Sequence, residues 1–407
     1  MFGFGKLATY DYFAHVERAL KSRFASNGET LETFVVDVAP TASIRRRATR
    51  LAELIAVTCQ NDGGPIHLLG HSTGGLDARL VATPSSHLPL SSEKLTWLPR
   101  LASVTTMSTP HYGTPLASFF ATVSGQRMLY AVSALTFIAL SLGAPPLAAA
   151  SALVVAIGRI DRLLGMELQI LDRTTDALLK ALEPATSSEV RLYLDAIQRD
   201  QGAVIQLTPE AMDLFQAGIE DRPGVLYQCS CAMAPAPTPG KIARSLTSPW
   251  RALSTTLFTT LYGITSRYDE RYPCAAPDPG KDAEDALRRA FERSPGVRAN
   301  DGVVPTRSQI WGEIAWAGMA DHLDVLGHFP GATPQAPFWA GWLRRKPAGG
   351  TVEEAVEEAA REGGTKPDSA ADARHVDWLR SGANFDETAF RRLMDAVASG
   401  MLRGANK

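Results

Sequence analysis

Apolar residues recur at helical spacing in three stretches of the chain and form strand-type runs in five others. The helical spacing predicts helices over residues 11–24, 43–59 and 386–402. The apolar runs predict strands over residues 33–38, 66–69, 101–107, 224–233 and 310–316. Strands that alternate with helices are typical of βαβ units. The predicted fold class is therefore α/β, with a mainly parallel sheet flanked by helices.

The alternation stops after residue 115. Residues 116–221 have helix-type sequence without a clear strand, and residues 128–158 carry no charged side chain. That run is long enough to span a bilayer, although a Pro-Pro pair at residues 145–146 interrupts it. A membrane span, a buried helix pair and a cap over a site remain open. The position of the insertion, after the strand that follows a serine-containing turn, favours the cap.

That turn, residues 70–74, reads Gly-His-Ser-Thr-Gly. It connects the predicted strand at residues 66–69 to a helix-type segment at residues 76–81. In this context the Gly-x-Ser-x-Gly pattern is typical of a nucleophile elbow, which presents a serine hydroxyl at a helix N-terminus. The backbone is strained there, so we expect only glycine two residues before and after Ser72. The alternative is a glycine-rich turn with a capping serine. The context favours a catalytic serine.

A serine nucleophile needs a base, and the base needs an anion that fixes its tautomer. In elbow architectures the chain order is serine, acid, histidine. Asp301 lies in an Asn-Asp-Gly turn before the last predicted strand, and His322 follows that strand. We predict that both reach one edge of the sheet as an acid–base pair. His328 and His375 are the other candidate bases, and a turn aspartate with a packing histidine is the alternative reading.

Two further histidines adjoin the predicted site. His111 follows the strand at residues 101–107, and we expect it to brace the serine loop rather than act as the base. His71 lies inside the elbow, where its side chain should point away from substrate if Ser72 points towards it. We assign both histidines to the substrate-binding region.

Composition narrows the classes of function. A chain of 407 residues can hold one large domain with insertions or two domains. The net charge of −2 gives a nucleic-acid partner no electrostatic support. The cysteines fit neither a disulfide scaffold nor a zinc site, although a bridge to Cys274 stays open. No signal-peptide pattern follows Met1, which favours a cytoplasmic location.

The motifs together resemble the α/β-hydrolase lipases and esterases of bacteria, in particular triacylglycerol lipases with a helical lid. Residues 70–76, 108–115, 300–304 and 322–324 match that family in its order. The resemblance implies carboxylic-ester hydrolysis through an acyl-serine intermediate. It makes Ser72 the nucleophile, Asp301 the orienting carboxylate and His322 the base and then the acid. The backbone N–H of Thr73 would be one oxyanion donor.

The chain departs from the family at its start. A family strand ending in His-Gly is missing, and residues 1–5 resemble the stretch after it, so the second oxyanion donor would be Met1. Losing one such donor costs about 10²–10³ in rate. We expect that the chain starts late or is a remnant, which leaves secretion open. Asp324 matches a calcium ligand in part of the family. No second carboxylate is identified, so no cofactor is expected and calcium stays open.

We divide the chain into three parts. The hydrolase core covers residues 1–115 and 222–343, a helical cap or lid covers 116–221, and an acidic extension with a closing helix covers 344–407. The apolar cap favours lipid or medium- to long-chain acyl esters as substrates, with transient contact to a lipid surface. An acyltransferase, or a polyester, amide or thioester hydrolase, would use the same triad. A non-catalytic relative that binds an apolar ligand or a membrane is the remaining alternative.

Overall fold

A four-stranded parallel sheet forms the centre of the chain. The computed structural model describes residues 6–7, 10–11, 13–60, 63–142, 184–240, 249–329 and 379–406. The first strands, β1 (Lys6–Leu7) and β2 (Tyr10–Asp11), pair only with each other. The central strands are β3 (Ile66–His71), β4 (Leu101–Met107), β5 (Leu226–Met233) and β6 (Glu313–Met319), and they are hydrogen-bonded in that order. All three pairings are parallel.

The α-helices of the described residues alternate with these strands or lie in the insertion. They are α1 (Ala14–Ser26), α2 (Ile44–Thr58), α3 (Thr73–Ala82), α4 (Pro115–Phe120), α5 (Val123–Leu142), α6 (Pro184–Arg199), α7 (Gly202–Gln206), α8 (Pro209–Ala217), α9 (Pro249–Thr265), α10 (Gly280–Phe291) and α11 (Glu387–Ala405).

Helices cover both faces of the sheet. On one face, α2 and α3 share a hydrophobic cluster with β3 and β4, and Leu287 of α10 packs near Cys229 of β5. On the other face, α1 packs beside α11, and the Gln228 amide of β5 donates to the Val397 carbonyl of α11 at 3.0 Å. Side chains of a strand alternate between faces, so neighbouring residues 228 and 229 reach opposite helix layers. The predicted α/β fold class, a parallel sheet flanked by helices, is confirmed.

The closing helix α11 packs on the sheet, as its apolar periodicity predicts. The Asp386 side chain accepts the Ala389 N–H at 2.8 Å and caps its N-terminus. Two glycines allow the close approach. A Cβ at Gly404 would lie 2.7 Å from the Ala102 carbonyl oxygen, and one at Gly400 would overlap the Gln228 amide. The C-terminal helix is thus part of the main hydrophobic core rather than a free interaction helix.

The described part of the insertion is helical, as predicted. Leu116, Phe120 and Met128 are buried in the main hydrophobic core, so α4 and the start of α5 are anchored to the rest of the chain. Among the described helices, none has the length and apolarity needed to cross a membrane. The second half of the charge-free run, the part of the acidic extension before residue 379, and His375 lie outside the described residues.

The predicted strand at residues 33–38 is wrong, because these residues form no strand. The local sequence has the apolar content of a strand, but a strand also needs a neighbour whose backbone N–H and C=O groups pair with its own. In the described sheet, β3 pairs only with β4, and no strand pairs with residues 33–38. Phe34 of this stretch is accordingly 52% exposed.

Two other expectations change in detail. The last strand begins at Glu313 rather than at residue 310, because a 3-10 turn at Thr306–Gln309 and a left-handed Gly312 (φ 67°) precede it. A Cβ at Gly312 would lie 2.4 Å from the Tyr227 carbonyl oxygen, so the turn needs glycine. All four cysteines are free thiols, and the bridge to Cys274 is therefore absent.

A buried ion pair ties the helix after the serine turn to α2. Arg47 donates from Nε and Nη2 to Oδ2 of Asp77 at 2.9 and 2.8 Å, and both residues are less than 5% exposed. Arg47 Nη1 also donates to the carbonyls of Ala39 and Pro40 at 3.3 and 3.1 Å. Burial raises the pKa of Asp77, while the Arg47 guanidinium opposes that shift. The pair fixes α3, α2 and residues 39–40 in one arrangement.

Asp77→Ala is expected to lower the free energy of unfolding by about 3–5 kcal/mol, because it leaves the Arg47 charge buried and unpaired. Urea denaturation measures the loss. The double variant Arg47→Met/Asp77→Leu removes both charges and should recover most of it. Glu387→Ala is the control, since it breaks an exposed ion pair with Arg391. Equal effects of Asp77→Ala and Glu387→Ala would contradict the prediction.

Candidate active site

Ser72 occupies a strained turn between β3 and α3. Its backbone angles are φ 53° and ψ −128°, a combination that costs an L-residue about 1–3 kcal/mol. The Ser72 N–H donates to the Met107 carbonyl at 2.9 Å, which ties the turn to the end of β4. The residue is buried. This is the backbone geometry expected for a nucleophile elbow.

The glycine requirement of the elbow is confirmed before the serine but not two residues after it. A Cβ at Gly70 would lie 2.3 Å from backbone atoms of residues 74 and 75, which cannot move away. A Cβ at Gly74 would meet nothing within 4 Å among the described residues. One at Gly75 would lie 2.1 Å from Thr109 Oγ1. The expectation that position 74 needs glycine is therefore wrong. Position 75 needs it instead, because α3 packs closely against the loop after β4.

Gly70→Ala is expected to destabilise the chain by about 1–3 kcal/mol or more, because its Cβ overlaps fixed backbone. Gly74→Ala is the matched control. It should stabilise the protein slightly, by about 0.5–1 kcal/mol, because alanine restricts the unfolded chain and favours the helix. Thermal unfolding of both variants measures the difference. A loss of stability in Gly74→Ala equal to that in Gly70→Ala would contradict this interpretation of the turn.

Asp301 and His322 form the pair that the sequence predicts. His322 Nδ1 lies 2.8 Å from Asp301 Oδ2, and both side chains are fully buried. Asp301 Oδ1 accepts the backbone N–H groups of Val303 and Val304 at 2.9 and 2.7 Å. A carboxylate only accepts, so Nδ1 carries the proton and Nε2 is left as the basic atom. This is the tautomer that a general base needs.

His322 is held on three sides and has one nitrogen left over. Its backbone N–H donates to the Asp301 carbonyl at 2.9 Å, and its carbonyl lies 2.8 Å from His71 Nε2. Nε2 of His322 is buried and has no hydrogen-bond partner in the described part of the chain. Bonds between a catalytic serine and its base often form only in the substrate complex. The bond from His71 also shows that the residue directly before Ser72 in the elbow contacts His322.

Gln309 also contacts Asp301, and no pattern in the sequence indicates this contact. Its side-chain Nε2 lies 3.3 Å from Asp301 Oδ2 and 3.2 Å from the Val304 carbonyl, and its Oε1 accepts the Ala232 N–H at 2.7 Å. The residue is fully buried. Its contact depends on the loop after Asp301 folding back onto β5. No local pattern in the sequence reports that fold.

His111 is not placed to act as a base. Arg79 Nη1 lies 2.9 Å from His111 Nδ1, and an arginine can only donate, so Nδ1 is unprotonated. His111 Nε2 then donates to Thr106 Oγ1 at 3.0 Å. Burial, followed by the Arg79 charge, holds the pKa of His111 well below its usual value. These bonds hold the His111 ring between α3 and β4, and its role in bracing the serine loop stays a prediction. Its assignment to substrate binding stays a prediction, as does that of His71.

Arg79 connects this loop to the insertion. Its guanidinium carbon lies 3.1 Å from the ring centroid of Trp311, and Nη2 donates to Gln216 Oε1 of α8 at 3.2 Å. Gln216 in turn donates to the His111 carbonyl. Burial lowers the pKa of Arg79 to about 9. Arg79 is absent from the predicted site, although a lone arginine on an otherwise apolar helix face is a usable signal.

The remaining predicted site residues have a weaker basis. Thr73 is the first residue of α3, so its amide lies in the helix turn where N–H groups point along the axis towards the serine. Met1, the other predicted oxyanion residue, lies outside the described residues. His328 is buried and its ring lies 5.8 Å from that of His15. Asp301 is bonded to His322 instead.

Calcium at Asp324 stays an untested expectation. Asp324 Oδ2 accepts the Asp321 N–H at 2.8 Å, and Asp321 Oδ1 accepts the N–H groups of residues 323 and 324. Ser381 Oγ donates to the other Asp321 oxygen at 2.9 Å. Within the described ranges, no three His, Cys, Asp or Glu side chains are grouped as metal ligands. These bonds tie the two carboxylates to their own loop and to Ser381.

No protein-family model matches the chain, and no curated protein matches it. The chain is similar to the solved structures of lipase 1 from Pelosinus fermentans (17% identity, 84% of this chain and 94% of that chain, TM-score 0.44) and of EstA from Clostridium botulinum (18%, 88% and 85%, 0.41). It is also similar to the mature lipase BlEst2 of Bacillus licheniformis (14%, 80% and 83%, 0.40). Because these likenesses are distant, we infer function from the site itself.

Proposed function

We propose that the chain is a serine hydrolase that cleaves carboxylic esters. One observation carries the proposal: the Asp301-bound imidazole of His322 lies against the elbow that holds Ser72, and its Nε2 has no hydrogen-bond partner among the described residues. An acid, a correctly protonated base and a strained serine at a helix N-terminus are the parts that acyl transfer needs. A turn aspartate and a packing histidine would need neither the strained serine nor the unoccupied nitrogen.

In the first half of the reaction, Ser72 Oγ attacks the ester carbonyl carbon and His322 Nε2 takes the hydroxyl proton. Negative charge develops on the carbonyl oxygen, where the Thr73 N–H and the N-terminus of α3 favour it. The bond to the alkoxy group then breaks, and the imidazolium gives its proton to the departing alcohol. Asp301 stays ionised and holds the ring throughout. The product is an acyl-serine.

In the second half, a water attacks the acyl carbon. His322 Nε2 takes its proton, and the same oxygen-binding groups stabilise the new oxyanion. Collapse releases the carboxylic acid, and the proton returns from His322 to Ser72 Oγ. Each step uses the one nitrogen of His322 that has no other partner in the described structure. An alcohol in place of water would make the same site an acyltransferase.

We further propose medium- or long-chain acyl esters as substrates. The insertion contributes apolar side chains to the main core, and it also exposes large apolar residues in its described part: Val123 66%, Leu192 68%, Ile205 61% and Leu214 77%. Exposed apolar surface of this kind favours contact with oily substrates. A buried Ser72 additionally requires an opening before such a substrate reaches it.

A phosphonate-labelling experiment tests the proposal. A fluorophosphonate should add to Ser72 Oγ with loss of fluoride, and peptide mass spectrometry should find the adduct on that residue alone. In parallel, p-nitrophenyl esters from acetate to palmitate should show kcat/KM rising with acyl length. Labelling with a fall in kcat/KM along the series would retain the hydrolase and remove the lipid preference. Absence of both labelling and hydrolysis would support the non-catalytic alternative.

A further inference from the structure

His71 is the elbow residue that touches the base. Its side chain is 3% exposed, its Nε2 lies 2.8 Å from the backbone oxygen of His322, and the two rings lie 4.6 Å apart between centroids. A carbonyl oxygen can only accept a hydrogen bond. The proton of the neutral imidazole is therefore on Nε2, and His71 donates to the main chain of His322.

The bond from His71 constrains the position of His322 relative to Ser72, which the bonds to Asp301 do not. Asp301 accepts both from the His322 backbone N–H and from its Nδ1. Those two bonds fix the base relative to the acid, but they leave its distance to the nucleophile undetermined. The bond from His71 connects the base to the residue directly before Ser72. The Asp301 turn is otherwise tied to the end of β5, where the Asn300 carbonyl accepts the Ala234 N–H at 2.9 Å. Among the described contacts, the bond from His71 is therefore the direct hydrogen bond between His322 and the elbow.

The donor must also stay neutral and oriented. Burial lowers the pKa of His71 well below its usual value, and the nearby His322 acts in the same direction. His71 therefore remains an uncharged donor while the adjacent ring takes up and releases a proton. A positively charged His71 would oppose protonation of His322, because the centroids of the two rings are only 4.6 Å apart.

We propose that His71 is a positioning residue that sets the distance between Ser72 and His322. The inference rests on the proposed hydrolase function and deepens it. A displacement of about 1 Å between reacting groups can cost about 10² in rate. His71→Phe keeps a ring in the same space but removes the donor. We expect it to lower kcat about 10²-fold with little change in KM.

The variants are chosen to separate positioning from folding. His71→Gln places an amide N–H near the position of Nε2 and should recover most of kcat. His67→Phe is the matched control, because His67 lies on the same strand and face but bonds Ser103 Oγ at 2.8 Å, away from the site. It should leave kcat unchanged. If His71→Phe does not fold, His71→Met is a second variant without the donor.

A readout independent of turnover completes the test. In ¹⁵N-histidine-labelled protein, the His322 Nδ1–H signal, assigned by its loss in His322→Gln, should broaden through exchange in His71→Phe and persist in His71→Gln. An unchanged signal would overturn the inference, and so would equal losses of kcat and melting temperature in His71→Phe and His71→Gln. If the wild type hydrolyses no ester, the proposed function fails, and the signal alone decides the role of His71.

Discussion

Ser72→Ala is expected to lower kcat for p-nitrophenyl ester hydrolysis by about 10⁶-fold, because it removes the only atom that can form the acyl intermediate in this site. The fold should survive. The positive φ of Ser72 is no harder for alanine than for serine, and the backbone bond from residue 72 to Met107 does not involve the side chain. Steady-state kinetics with a circular-dichroism melt measures both quantities on the same preparation.

The chain offers a matched control one strand away. Ser108 follows β4, is fully buried, and also has a positive φ of 47°. Its hydroxyl has no hydrogen-bond partner in the described residues. Ser108→Ala should therefore leave kcat close to the wild-type value. Ester hydrolysis that survives Ser72→Ala, or that is lost equally in Ser108→Ala, would refute Ser72 as the nucleophile.

The contact between Asp301 and His322 could be predicted from the chain order of serine, acid and histidine. Ser72 and His322 follow the carboxyl ends of β3 and β6, and such ends meet at one edge of a parallel sheet. Asp301 lies in a turn before β6, so its place at this edge came from the motif order and not from a strand end. The elbow was also predictable, because the Gly-x-Ser-x-Gly pattern that indicates it is local in the sequence. Gly74 shows the limit of that signal: the pattern names the glycine, but packing against Thr109 places the requirement on Gly75.

Features that depend on distant partners could not be predicted. The strand at residues 33–38 failed because pairing is decided by a neighbour and not by apolar content. Gln309 and the bond from His71 to His322 were missed because each joins loops far apart in sequence: residues 71 and 322 are 251 positions apart. Periodicity and short motifs predict where helices, strands and turns lie along the chain. They do not predict which side chains of two distant loops come into contact.

Asp301→Asn is expected to lower kcat about 10⁴-fold while leaving the fold intact, because it keeps the two bonds to Oδ1 and changes the tautomer of the base. The two oxygens of Asp301 face different partners. Oδ1 accepts two backbone N–H groups, whereas Oδ2 accepts from His322 Nδ1. An asparagine oxygen must occupy the Oδ1 position, since an amide NH₂ there would face two donors. The NH₂ group then points at His322.

With a donor opposite it, His322 Nδ1 must become the acceptor, and the ring proton moves to Nε2. The nitrogen that should take the serine proton is then already protonated. Gln309 cannot correct this by rotating its amide, because its Oε1 is held by the Ala232 N–H at 2.7 Å. Asp321→Asn, in the loop after β6 that carries His322, is the control for a general loss of order in that loop. A loss of kcat below about tenfold in Asp301→Asn would remove Asp301 from the triad, because orientation alone would then suffice.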